Sequence, residues 1–271
     1  MDRVEGLTRG GRPAHGANAL PSPYVSGDLY DLVLGAYTED IAFYVEHARA
    51  ADGPALELGC GTGRVLLPTI EAGVDIEGIE IAPAMLERLA RSAAERGLAV
   101  RAARGDMRRF ARPRRFALVT IPFNAFVHNL TPEDQIATLS CCREHLLPGG
   151  RLVFDVMYPN VGMLADDDGV PVLELEVPHP ETGLPVQLWD TRTQDPVAQT
   201  QHSLIEIREL DAAGAAAARH HFETTLRWVH RAEMELLLRI AGFARWSLAG
   251  DFDGEPLTDD SVVMVVTAWR E

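Results

Sequence analysis

Ala55-Leu56-Glu57-Leu58-Gly59-Cys60-Gly61-Thr62-Gly63-Arg64 is the stretch that decides the fold. An apolar strand runs into a turn with glycine at 59, 61 and 63, and Val65-Leu66-Leu67 then opens the apolar face of a helix. Glycine reaches positive φ at no steric cost, and a backbone without Cβ lets a ligand come close. The turn and the helix N-terminus after it therefore offer a cradle of backbone N–H groups to a bound cofactor.

Two cofactors compete for such a turn. The dinucleotide fingerprint is G-x-G-x-x-G/A after a strand. Here Arg64 stands where that fingerprint needs a third small residue, and Glu57 precedes the first glycine by two positions. The pattern E-x-G-x-G-x-G resembles the first motif of class I S-adenosylmethionine (SAM) methyltransferases. That resemblance implies SAM as cofactor and an α/β fold with a Rossmann-like seven-stranded sheet, its last strand antiparallel. It places Glu57, Gly59, Cys60, Gly61, Gly63 and Arg64 at the cofactor.

Downstream segments extend the pattern. Asp75 to Ile81 alternates as a second strand and ends beside an acid, Glu80, about twenty residues after Gly59, where doubly wound folds hold a ribose. Pro83 suits the first turn of the next helix, and Ile81 and Met85 could flank an adenine. Ala99 to Ala103 reads as the third strand. Gly105-Asp106-Met107 after it resembles the family's adenine-binding loop. Phe116 to Ile121 is continuously apolar, as a central buried strand requires, and it leads into Pro122-Phe123-Asn124 and on to His128. Ligands of open α/β sheets lie beyond the carboxyl ends of strands. Ile121, Pro122 and Phe123 are thus cofactor candidates, and Asn124 and His128 are candidates at the methyl acceptor. Thr131-Pro132 reads as N-cap and first position of a helix. Leu146 to Arg151, with Pro148-Gly149-Gly150, turns into a fifth strand from Leu152 to Val156. Asp155, Tyr158 and Asn160 follow at the ligand edge as substrate candidates.

Upstream, residues 1–22 are rich in Gly, Pro, Arg and small side chains and read as a flexible leader. Tyr24, Tyr30 and Tyr37 follow. Tyr30-Asp31, roughly thirty residues before the turn, resembles the N-terminal lid of small-molecule N-methyltransferases such as the aminosugar dimethyltransferases. Tyr30 is the matching position and is expected to close the reaction site; Tyr24 and Tyr37 are further cofactor candidates, or pack an N-terminal helix on the core. Residues 23–271 are expected to form one domain.

Between about 165 and 228 the pattern changes to four successive strands separated by turns such as Glu181-Thr182-Gly183,. They predict an inserted antiparallel meander, serving as a substrate cap, a dimer contact or both. Arg231 to Phe243 reads as a helix stopped by Gly242, and Ser261 to Trp269 as the last strand.

The net charge of -15 repels phosphates and argues against a nucleic-acid partner. No run of 18 apolar residues predicts a membrane span, and the N-terminus lacks a secretory h-region. Three cysteines make no disulfide framework and fit a reducing cytoplasm. They have no metal-ligand spacing. The expected function is methyl transfer from SAM to a nitrogen or oxygen of a small-molecule acceptor. A nicotinamide oxidoreductase and a non-catalytic SAM-binding scaffold are the alternatives.

Overall fold

The computed structural model describes residues 21–165 and 169–271. The leader lies almost wholly outside that range.

The chain opens with α1 (Gly27–Leu34) and α2 (Ile41–Arg49), then alternates: β1 (Ala55–Leu58), α3 (Leu66–Glu71), β2 (Ile76–Glu80), α4 (Pro83–Glu95), β3 (Ala102–Arg104), β4 (Phe116–Ile121), α5 (Pro132–His145), β5 (Leu146–Met157) and α6 (Val161–Ala165). Four strands follow, β6 (Pro171–Pro178), β7 (Pro185–Asp195), β8 (Thr200–Leu210) and β9 (Ala216–Arg227). The chain closes with α7 (Arg231–Ile240), β10 (Arg245–Ala249) and β11 (Val263–Trp269). The seven-stranded sheet has the order β10-β11-β5-β4-β1-β2-β3. β11 runs antiparallel to both of its neighbours, and the remaining pairs are parallel.

Strand period two divides this sheet between two cores. Leu56, Leu58, Val119 and Phe154 face α5 and α7, meeting Leu139, Met234 and Leu238. Ala55, Leu118 and Val153 face the other way, onto Tyr44, Leu67 and Leu89 of α2, α3 and α4. Burying one such large side chain contributes about 1.5–3 kcal/mol. The anticipated caps are present: Thr131 Oγ1 accepts from Asp134 N at 3.1 Å, and Gly242 past α7 has φ 89°. The third strand starts later than the sequence suggested. It pairs only along Gly78 to Glu80, so Val100 packs from the coil before it. The fifth strand starts earlier, at Leu146. Gly149 at φ 78° carries the chain through an irregularity opposite Phe116 and Leu118 without ending the pairing.

β6 to β9 form a separate antiparallel sheet in sequential order. Val33 of α1 packs on its inner face against Val186, Ile207 and Phe222. At the far end of β9 the buried Arg227 donates to Gln135 Oε1 of α5 at 2.8 Å and to Glu233 Oε1 of α7 at 2.6 Å. The two sheets thus enclose a space whose walls are the carboxyl edge of the large sheet, α1 and the inner face of the small one.

Candidate functional site

That space is a cavity of about 840 Å3, toward the upper end of the range for small-molecule sites. The glycine turn forms its floor. Gly61 has φ 52°, a region that favours glycine, and its N–H donates to Glu80 Oε2 at 3.0 Å. Glu80 Oε1 accepts from Ala82 N at 2.8 Å. One carboxylate therefore ties the turn to the start of α4. Burial raises the Glu80 pKa, against the pull of these backbone donors.

Glu57 is 2% exposed and lines the cavity, and its Oε2 has no hydrogen-bond partner. Burial lifts its pKa to about 8, with Arg64 pulling the other way. Arg64 is itself engaged. It forks onto buried Asp40 at 2.5 and 2.7 Å and donates to the Tyr37 carbonyl at 3.1 Å. Its guanidinium lies 4.6 Å from the Phe123 ring centroid, within cation–π range. Arg64 thereby locks residues 37–40 beside the turn.

At the second strand's end, Ile81 is exposed and Met85 buried, and both line the cavity with Gly105, Asp106 and Met107. Arg108 forks onto Asp106 at 2.7 to 3.1 Å, and its bonds hold the Asp106 carboxyl below the usual range.

Beyond β4 the chain takes two left-handed residues, Phe123 at φ 55° and Asn124 at φ 61°, which non-glycine residues adopt at a cost. Asp155 secures them. Its Oδ1 accepts from Phe123 N at 2.7 Å and its Oδ2 from Asn124 N at 3.0 Å. Tyr44 donates its hydroxyl at 2.5 Å. Burial raises the Asp155 pKa to about 6. The Asn124 side-chain oxygen accepts from Met157 N. This loop presents His128, whose Nε2 shares a 2.8 Å hydrogen bond with the Tyr24 hydroxyl. Burial lowers the His128 pKa to about 4 and raises that of Tyr24. The Tyr30 ring lies 6.0 Å from Tyr24; burial lifts its pKa to about 12.

Most residues singled out in the sequence line this one cavity: Tyr24, Tyr30, Glu57, Gly59, Cys60, Gly61, Arg64, Glu80, Pro122, Phe123, Asn124, His128, Tyr158 and Asn160 do so, with the second-strand and Asp106 residues above. Four do not. Asp155 is 3% exposed and spends its oxygens on the loop and Tyr44, so it shapes the wall instead of forming it. Ile121 is fully buried in the core. Gly63 is a packing glycine: a Cβ there would overlap Leu89 and lie 2.9 Å from Leu67 Cγ. Tyr37 packs on Phe123 with ring centroids 5.0 Å apart, outside the lining. Sequence reasoning expected the small sheet as a cap but named none of its cavity residues, above all Asp190, Gln201 and Ser203, and it missed Arg108. Their sequence carried no clean signal, because polar and apolar side chains share both alternations of β7.

Among the described residues, no group of three or more His, Cys, Asp or Glu side chains is placed to hold a metal ion. No helix among the described residues is long and apolar enough to cross a membrane.

A β3-β2-β1-β4-β5-β11-β10 sheet with an acid-led glycine turn and a second acid at the end of β2 defines a class I SAM-binding α/β protein. The comparisons agree. Residues 55–150 match the family described as "Methyltransferase domain". The chain is 30% identical over 247 residues to the cypemycin N-terminal methyltransferase of a Streptomyces species, spanning 90% of this chain and 95% of that one. In structure it is similar to the CcbJ methyltransferase of Streptomyces caelestis, with TM-score 0.76, 27% identity, and coverage of 92% and 98% of the two chains. It is also similar to SAM-bound CalS10, an amino pentose methyltransferase of Micromonospora echinaspora, with TM-score 0.68, 26% identity, and coverage of 95% and 100%. The chain belongs to the SAM-dependent methyltransferases. It is an enzyme whose cofactor is SAM, and the nicotinamide alternative is disfavoured.

Proposed function

We propose that the chain methylates a nitrogen of a small-molecule acceptor held between the glycine turn and the meander. The observation that carries this reading is a single cavity joining the unpartnered Glu57 Oε2 and Glu80 on its floor to the Tyr24–His128 pair on its wall. The names of the relatives, an N-terminal methyltransferase and an amino pentose methyltransferase, support nitrogen over oxygen.

The residues fit SAM. Glu57 Oε2 offers its free valence to the ammonium of the methionine portion. Glu80 Oε2 accepts from Gly61 N and Oε1 from Ala82 N, and the carboxylate keeps acceptor capacity for the ribose hydroxyls. Ile81 and Met85 offer apolar surface to adenine. Asp106 is already forked by Arg108, so an adenine amino group would share it. When bound, SAM supplies a methyl group activated by its sulfonium.

The chain's own part is alignment and exclusion of water. An imidazole with pKa near 4 is too weak a base to take a proton from an ammonium efficiently. We assign the Tyr24–His128 pair to orientation: it fixes the acceptor nitrogen, which arrives as the free amine, and Tyr30 packs behind it. Asn124, whose side-chain oxygen is held by Met157, keeps the loop in place.

Residues 23–271 act as one unit in this reading, with 165–228 as the cap. The exposed Val170, Val172 and Leu173 on and beside the edge strand β6 favour covering by a second copy, so a homodimer is proposed. The net charge of -15 argues against nucleic acid, and the buried free cysteines fit the cytoplasm.

The test is incubation with SAM and a panel of primary amines, matched alcohols and N-acetyl analogues, read by mass spectrometry. Methylated amines are expected. Methylation of the alcohols alone would overturn the nitrogen assignment.

A further inference from the structure

The inner face of the small sheet changes character along its length. Val186, Ile207 and Phe222 at one end pack beneath Val33. Toward the other end the inward positions hold Asp190, Ser203 and Gln201, exposed by 7%, 2% and 4%. A sheet face packed against the rest of the molecule normally carries apolar side chains there. These three instead form a connected polar group on the cavity wall.

Their hydrogen bonds leave one atom over. Asp190 Oδ2 accepts from Arg192 Nε at 2.8 Å and from Ser203 Oγ at 3.1 Å. Gln201 Nε2 donates to Ser203 Oγ at 3.2 Å, and Gln201 Oε1 accepts from Gln194 at 3.0 Å. Arg192 also reaches Glu174 Oε1 at 2.9 Å. Asp190 Oδ1 is buried and has no donor. An unmatched buried acceptor is destabilising, so Oδ1 stands ready for a donor that the sheet itself does not supply. The floor acids, Glu57 and Glu80, lie on β1 and β2. Asp190 lies on the inserted sheet, beyond residues 55–150 that match the methyltransferase family.

We propose that Asp190 is the specificity-determining residue for the acceptor. Its Oδ1 accepts a hydrogen bond from an O–H or N–H group of the acceptor that lies away from the reacting nitrogen. Ser203 and Gln201 fix the carboxylate's orientation, and Arg192 keeps Oδ2 occupied. This inference rests on the methyltransferase reading of the cavity. It predicts that acceptors carry a second donor.

The experiment uses the full chain, SAM, and three probe sets: amino sugars, diamines, and simple alkylamines lacking a second donor. Methyl transfer is followed for wild type, D190N and D190A, with SAM affinity by calorimetry and folding by circular dichroism. For the preferred acceptor, D190N should raise KM about tenfold or more. It should leave kcat and SAM affinity nearly unchanged. D190A should do the same, which guards against a misfolded D190N. An acceptor analogue lacking the second donor should lose the same factor in wild type and lose nothing more in D190N. Preference for amino sugars assigns a hydroxyl donor, and preference for diamines an ammonium; either supports the proposal. Equal KM values across folded wild type and variants overturn it, as does an equal loss of SAM affinity. If wild type methylates no amine at all, the parent reading falls and takes this one with it.

Discussion

Glu80→Ala tests the cofactor assignment on stability and affinity at once. The native carboxylate is 8% exposed and accepts from Gly61 N at 3.0 Å and Ala82 N at 2.8 Å. Hydrogen bonds to a charged group contribute about 1.5–3 kcal/mol each. Losing two would cost about 3–6 kcal/mol, but the substitution also relieves a buried carboxylate whose raised pKa records its desolvation. A net destabilisation of about 1–3 kcal/mol is expected. For SAM, the loss of two ribose bonds at about 1.5 kcal/mol each gives roughly a hundredfold weaker binding, since 1.4 kcal/mol is a factor of ten. Glu80→Gln keeps the volume but turns an NH2 toward one of the two backbone donors, so it should not rescue affinity. Calorimetric titration of SAM, with thermal melting by circular dichroism, reads both effects. A folded Glu80→Ala variant that binds SAM within about twofold of wild type would refute the ribose role and leave Glu80 as a turn anchor.

Glu57 gives a pH prediction with a definite sign. The folded carboxyl titrates near 8 and the unfolded one near the ordinary 4.3. The native state therefore binds the extra proton between those values, and stability without ligand should fall as pH rises through that window. SAM affinity should rise over the same range, because the ammonium needs the ionised carboxylate; Glu57→Gln should flatten both trends, and unchanged slopes would refute the assignment. His128 should leave no inflection near pH 6.5 in the kcat profile, because its ring stays neutral above about pH 5,. His128→Asn should keep most of the rate, whereas a loss of about a hundredfold in both Asn and Ala variants would make His128 a general base and refute the orienting role. Gly63→Ala should lower the denaturation midpoint by the equivalent of about 1–3 kcal/mol, through its φ of 93° and the overlap with Leu89,. SAM affinity of the folded fraction should persist; an unchanged midpoint would contradict the packing role.

Much of this architecture can be read in the chain because each signal is local. The acid-led glycine turn, the apolar run at Phe116–Ile121 and the Thr131-Pro132 cap each specify their own backbone. Glu80 reads correctly as a strand-end acid for the same reason. What escapes is pairing across distance. Tyr24 meets His128 across 104 residues, and no periodicity announces that contact. Asp155 looks like a pocket acid because its strand ends at the ligand edge, yet Tyr44 and two strained amides consume it. Gly63 shares a motif with Gly61, but helix packing and ligand approach demand the same residue for different reasons. On β7, Leu188-Trp189-Asp190-Thr191-Arg192 carries polar and apolar groups on both alternations. The inward face is thus fixed by α1 and the cavity, and not by the pattern.

In the proposed function SAM lies across the turn at 59–63, with its ribose on Glu80 and the acceptor chamber facing the small sheet. A crystal structure with S-adenosylhomocysteine tests it most directly. Ribose hydroxyls are expected within hydrogen-bond reach of both Glu80 oxygens, adenine between Ile81 and Met85, the amino group on Glu57, and the thioether sulfur facing His128. Density for the product elsewhere, or a ribose that leaves Glu80 bonded only to Gly61 and Ala82, would contradict it.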